Sequence, residues 1–406
     1  MNISGTLDVT ALGTPAVNLA TTENGFLTGS AGDDDLTIDG AQLDALIFGA
    51  GTIDFDTGDD VLNLTSTSTF LNAFGVGNDV RILGLETIDA STAVADVSVL
   101  LSVQTEDFIV IGSDNNDTLT GGVGDDTISG GIGDDLIRGN VGVDIIDGGT
   151  GNDTIELANG DFVSGESIDG GTGTDDLVLT NATTVDFTTG TLANLENLTG
   201  SAGDDDVTIE IDVLGQFTTV DLAGGGNDII RTQINGTYDA VANGVPTVLN
   251  TENGFLTGST GDDDLTISGA QLDSLVFGAG TIDFDNGNDV LNLTSHSASL
   301  VTLGAIDSSI QGLEEIDSSA SVMFVILDLS GQTEDFILTG SDSAMGDWIF
   351  AGAGDDFIFA GDGDDVLNGG DGNDTLRGEF GNDTINGDAG NDGLICLLYT
   401  SDAADE

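Results

Sequence analysis

Apolar residues recur at every ninth position through two long stretches of the chain. The first, from Gly112 to Glu156, reads GSDNNDTLT, GGVGDDTIS, GGIGDDLIR, GNVGVDIID, GGTGNDTIE. The second, from Asp342 to Ile395, reads DSAMGDWIF, AGAGDDFIF, AGDGDDVLN, GGDGNDTLR, GEFGNDTIN, GDAGNDGLI. Each unit divides into a six-residue glycine-rich turn and a three-residue strand. Alternation in a strand sends its middle residue to one face and the neighbours to the other. The pattern therefore predicts a buried ladder of Leu119, Ile128, Ile137, Ile146 and Ile155, with Thr118, Thr120, Thr127, Ser129 and Thr154 facing outward. One unit reverses the chain and two complete a flattened coil, so equivalent residues two units apart should stack.

A longer duplication overlies this period. TENGFLTGSAGDDDLTIDGAQLDALIFGAGTIDFDTGDDVLNLTS begins at Thr22 and returns, nearly unchanged, at Thr251. Single repeats are scattered outside the runs: GSAGDDDLT at Gly29, GGTGTDDLV at Gly170, GSAGDDDVT at Gly200, AGGGNDIIR at Ala223 and GSTGDDDLT at Gly258. Half-repeats stand at Gly58 and Gly287. The intervening segments are short, apolar and rich in β-branched residues, and read as strands. No helical periodicity persists. The expectation is an all-β chain, a parallel β-roll or β-solenoid of glycine-aspartate nonapeptides interleaved with strand-rich segments. Its parts are a strand-rich module at 1–111, a nonapeptide roll at 112–156, a strand-rich segment with isolated repeats at 157–250, the second module at 251–341 and a second roll at 342–395.

Charge changes the picture. Lys and Arg total 4 against 73 Asp and Glu, a formal net charge of -69 over 406 residues. Such a chain repels nucleic acid and anionic surfaces and gathers cations. High charge with few aromatics is also a signature of disorder, but 38% of the residues are hydrophobic and fall in register. The combination points to a fold that forms when counter-ions are supplied. The start, MNISGTLDVTALG, has neither the basic nor the apolar part of a secretory signal peptide. No run is long and apolar enough to span a membrane.

Stacked coils would place aspartates at the sixth position of the repeat about 4.8 Å apart. Two calcium–oxygen bonds of about 2.4 Å bridge that gap, and turn carbonyls can add hard oxygen ligands. Without an ion, each such pair repels by up to ~3 kcal/mol at an effective dielectric near 20. The nonapeptide GGxGxDxUx, with U a large apolar residue, resembles the repeats-in-toxin (RTX) family of secreted bacterial proteins with hemolysin-type calcium-binding repeats. The resemblance covers 112–156 and 342–395 strongly and the rest in patches.

That resemblance implies calcium between successive turns. The implied side-chain ligands are Asp117, Asp126, Asp135, Asp144 and Asp153 in the first run, and Asp347, Asp356, Asp365, Asp374, Asp383 and Asp392 in the second. Turn glycines near carbonyl ligands are Gly122, Gly124, Gly131, Gly133, Gly361, Gly363, Gly370 and Gly372. Pairing each aspartate with its partner two repeats on gives three sites and four, about seven in all. Asn140 and Val141 interrupt the turn before Asp144, and Met345 replaces a glycine before Asp347.

Catalytic signatures are missing: there is no HExxH, no GxSxG and no lysine. The lone His296 is replaced by Thr67 in the other copy. No enzyme activity is expected. The expected role is a secreted structural or surface, adhesin-like bacterial protein whose rolls fold on extracellular calcium; its cell-surface or matrix ligand is unassigned. The alternatives are the calcium-binding portion of a larger toxin or hydrolase, and a calcium sponge. The resemblance implies export by a route without a cleaved signal peptide. Trp348, Phe350, Phe357 and Phe359 are expected to pack beneath the preceding strand-rich segment, the alternative being an exposed patch. After Ile395 the phase breaks. CLLYTSDAADE, residues 396–406, carries the chain's only cysteine and matches the conceptual translation of a transposase sequencing adapter. It is expected to be read-through, not native sequence.

Overall fold

The computed structural model describes residues 6–8, 25–47, 51–69, 71 and 82–396. Thr22, where the duplication begins, and 397–406 of the tail lie outside the described residues. Contacts divide the chain into two units, Met1–Asp205 with Thr219–Gly226, and Asp206–Thr218 with Asn227–Glu406. Each is a parallel β-solenoid.

In the first unit one sheet runs through Thr6–Asp8, Asp35–Ile38, Val61–Leu64, Thr87–Asp89, Ile109–Ile111, Thr127–Ile132, Ile145–Thr150, Ser167–Asp169 and Thr191–Ala193. Another runs through Ser98–Leu100, Thr118–Thr120, Leu136–Arg138, Thr154–Leu157, Asp176–Leu179, Asn197–Thr199 and Thr219–Asp221. Successive strands of the first run alternate between these sheets, so two nonapeptides make one coil. Leu119 stacks on Ile137 and Ile128 on Ile146. The predicted ladder Leu119, Ile128, Ile137, Ile146 and Ile155 is buried throughout. Pairing is continuous from Ile109–Ile111 to Thr127–Ile132. The strand-rich segment and the roll therefore share one sheet.

The second unit repeats the plan. One sheet passes from Thr237–Asp239 through Asp264–Ile267, Val290–Leu293, Glu315–Asp317, Ile337–Thr339, Phe357–Phe359 and Thr375–Glu379 to Gly393–Cys396. A four-stranded sheet joins Ile326–Asp328, Trp348–Phe350, Val366–Asn368 and Thr384–Asn386. Ile349, Ile358, Leu367 and Leu376 are buried, whereas Leu394 is half exposed with no described coil beyond it. The register slips at the last strand, where Cys396 pairs with Glu379.

Four details differ from the sequence expectation. Short helices, Gly40–Leu46 and Gly269–Leu275, sit in the long coils and open on capping boxes, Asp39 with Gln42 and Ser268 with Gln271. Seven-residue helices are too short to show a period. Thr120 is buried, because Leu100 and Arg138 flank it in the sheet. Asn140 adopts φ 70°, the left-handed conformation a glycine would take, and so preserves the turn before Asp144. Trp348 and Phe357 are about half exposed, so the aromatics are not packed away. They stand on the outward positions of their strands, and Phe359 lies under the Arg377 guanidinium, 5.3 Å from the ring centroid.

The ladder sets a mutational contrast. Ile137→Ala should cost about 2–5 kcal/mol by leaving a cavity. Ile145→Ala, at a residue 53% exposed in the adjacent sheet, should stay within about 0.5 kcal/mol. Denaturant unfolding in calcium compares the two, and equal losses would contradict the inward assignment of Ile137.

Candidate metal centre

Each turn delivers its sixth residue, an aspartate, to the position just before the strand. The turn closes because glycine accepts both positive φ and backbone contact. Gly372, at φ 151°, is typical: a methyl group there would strike the Gly354 carbonyl and lie 3.1 Å from Asp374 Oδ1. The same cradle recurs at Gly363, where the Met345 carbonyl would be 3.0 Å away and Asp365 Oδ1 2.8 Å. Gly122 and Gly124 press against the carbonyls of Gln104 and Glu106, Gly131 against Ser113, and Gly133 against Asn115. Gly361 and Gly370 meet the carbonyls of Ser341 and Gly352. Carbonyl oxygens of one turn thus lie directly under the glycines of the next.

The aspartates form a ladder along the stack. Asp117 N donates to Asp135 Oδ1 at 2.7 Å, eighteen residues on, and Asp135 N donates to Asp153 Oδ1 at 2.8 Å. On the other side of the coil Asp126 N donates to Asp144 Oδ1 at 2.8 Å. In the second run Asp347 bonds Asp365 at 2.7 Å and Asp356 bonds Asp374 at 3.0 Å. Asp365 bonds Asp383 and Asp374 bonds Asp392, both at 3.2 Å. The pairs brought together are those that two-repeat stacking predicts. Asp117, Asp126, Asp135, Asp144, Asp153, Asp347, Asp356, Asp365 and Asp374 are buried, and Asp383 and Asp392 are half-buried.

The second carboxylate oxygen distinguishes these sites from ordinary turns. Asp126 Oδ2 accepts from Gly122 N at 2.5 Å, and Asp347 Oδ2 from Ser341 N at 2.6 Å. Oδ2 of Asp135, Asp144, Asp153, Asp356, Asp365 and Asp374 is buried with no hydrogen-bond partner. An unsatisfied buried carboxylate oxygen is costly. Burial, reinforced by neighbouring carboxylates, pushes Asp135 and Asp144 up to about 7 and Asp126, Asp356 and Asp365 up to about 6. Asp153, Asp347 and Asp374 are raised for the same first cause.

These features fit a hard divalent cation. The donors are carboxylate and carbonyl oxygens, with neither thiolate nor imidazole among them. No cluster of three or more His, Cys, Asp or Glu side chains suited to a metal occurs among the described residues. An ion here must therefore take backbone carbonyls as ligands, and the glycine cradles present them. Calcium accepts such mixed, flexible shells more readily than magnesium.

The ladder continues beyond the first run. Asp153 N donates to Asp175 Oδ1 and Asp175 N to Glu196 Oε2, both at 2.7 Å. The repeat at Gly170 is therefore not isolated. Glu166, opposite the end of the Asp126–Asp144 ladder, is buried with Oε2 unpartnered, and its carboxyl is pushed up to about 8. The available signal was a Glu one residue ahead of a strand, as in LENLT. Longer coils and the Asp-to-Glu change hid it.

The fold and these oxygen-lined turns define a cation-binding β-solenoid. Residues 111–146, 121–155, 138–161, 342–376 and 360–394 match the family model of the RTX calcium-binding nonapeptide repeat (4 copies). The chain carries RTX calcium-binding repeats in both runs. No curated protein matches it. No helix among the described residues is long and apolar enough to cross a membrane.

The raised carboxyls fix the sign of a pH effect. Their folded values lie above the unfolded value near 3.9. The stability they allow is complete below about pH 4 and is lost as pH rises toward about 7. In chelator, therefore, the melting temperature and strand content should be higher at pH 4.5 than at pH 8, and calcium should restore both at pH 8. A metal-free roll more stable at pH 8 would contradict the buried-charge account.

Proposed function

We propose that this chain is a secreted bacterial structural or surface protein, adhesin-like and without catalytic activity, whose solenoids assemble when extracellular calcium fills the ladder. The observation that carries this reading is the row of buried, unpartnered carboxylate oxygens repeated from coil to coil. A protein built this way displays surface instead of enclosing a reaction. The carboxylates that could act as acids or bases accept from the preceding coil's amides. RTX repeats are typical of extracellular bacterial proteins, and the net charge of -69 suits a medium rich in divalent cations.

Extracellular-type sites bind at roughly 10⁻⁴ to 10⁻³ M. At tenfold excess over Kd, each adds about 1.4 kcal/mol. Because stacked coils share ligands, occupancy and folding should rise together. Circular dichroism against free calcium should give one steep transition with its midpoint between about 0.1 and 1 mM. A sequence of independent, non-cooperative binding steps without gain of strand would instead mark a calcium sponge and sink the proposal.

A further inference from the structure

The geometry points to two calcium sites outside the nonapeptide runs, one between Asp34 and Asp60 and one between Asp263 and Asp289, in the duplicated long coils. The inference rests on the calcium reading of the runs and extends it to coils that no repeat match covers.

The repeats at Gly29 and Gly258 look solitary in sequence, but each acquires a partner from the half-repeat 26 residues on. Asp34 N donates to Asp60 Oδ1 at 2.6 Å, and Asp263 N donates to Asp289 Oδ1 at 2.7 Å. These are the ladder bonds of the runs with a longer loop between the rungs. The turns are also alike. Asp56 and Asp285, at φ 69° and 66°, hold the left-handed conformation that Gly370 holds at 99°. A methyl group on Gly58 would lie 2.9 Å from the Gly32 carbonyl. On Gly287 it would lie 2.6 Å from the Gly261 carbonyl and 2.8 Å from Asp289 Oδ2. This is the cradle that Gly372 forms over Gly354 and Asp374.

The independent observation is at the second oxygen. Asp60 and Asp289 are each 0% exposed, and Oδ2 of each has no partner. Below the site, Asp34 Oδ2 and Asp263 Oδ2 accept from Ser30 N and Ser259 N at 2.6 Å. Above it, Asp60 N and Asp289 N donate to Glu86 Oε2 and Glu314 Oε2 at 2.8 Å. The two carboxylates are thus oriented by their coils, and one oxygen of each is left over, sealed from solvent; at Asp289 it shares the Gly287 cradle with the Gly261 carbonyl. That is a hard-cation environment of the kind found in the runs.

Asparagine tests the idea, because it keeps the Oδ1 acceptor and removes the charge. Calcium bound per chain at saturation is measured by equilibrium dialysis with elemental analysis, and strand content by circular dichroism. Asp289→Asn and Asp60→Asn should each lose one ion and the double variant two. Each should also be more stable than wild type in chelator, since a buried charge is gone. Exposed Asp96→Asn should lose none, and Asp365→Asn reports separately on the second run. Wild-type stoichiometry in the Asp60→Asn, Asp289→Asn double variant overturns the long-coil sites, whatever Asp365→Asn does. Loss in Asp365→Asn alone confines calcium to the runs. A variant that lost ions together with its fold, and was less stable in chelator, would also overturn the proposal by making the carboxylate a structural acceptor only.

Discussion

Everything in this protein depends on burying negative charge next to negative charge. A parallel solenoid stacks equivalent residues about 4.8 Å apart, and here the stacked residue is an acid. Two carboxylates at that spacing repel by about 3 kcal/mol at an effective dielectric near 20. The amide of each rung offsets part of this by donating to the next carboxylate, as Asp117 does to Asp135. Internal cations offset almost none of it. The ion pairs among the described residues, Arg138 with Glu156 and Arg231 with Asp206, lie along the strands and not at the buried rungs. Compensation has to come from solution, as protons or as metal ions.

This view joins composition to architecture. A chain with 4 basic residues and 73 acidic ones cannot neutralise itself, so its folded state is coupled to its ionic surroundings. Glycine at the turns serves the same coupling. It lets carbonyl oxygens approach the carboxylates where a side chain would collide, as at Gly372 over Gly354. The apolar ladder through Leu119, Ile137 and Ile155 supplies cohesion within the coil, while the acidic ladder beside it makes that cohesion conditional.

Much of this was legible in the residues because the runs keep a strict period. Nine-residue spacing dictated which aspartates stack, and the hydrogen bonds between Asp126 and Asp144 and between Asp347 and Asp365 follow it. Legibility failed where the period stretched. The 26-residue coils retain the rung but interpose a helix, Gly40–Leu46 or Gly269–Leu275. A partner that far away does not look like a repeat. Glu196 in place of aspartate hid another rung, because it holds the same place ahead of its strand and accepts from the Asp175 amide, but breaks the Gly-Asp motif. The exposure of Trp348 and Phe357 is not legible in the sequence, for a different reason. Burial at outward strand positions depends on what covers the sheet, and local sequence carries no information about that.

The most direct test addresses the rungs themselves. Amide hydrogen exchange of Asp135 and Asp365, read residue by residue at neutral pH, can be compared in calcium and after chelation. The account predicts strong protection in calcium and its loss on chelation, at these amides and at Asp117 and Asp347 alike. Equal protection in both conditions would show that the ladder stands without its ions, and would contradict the central claim.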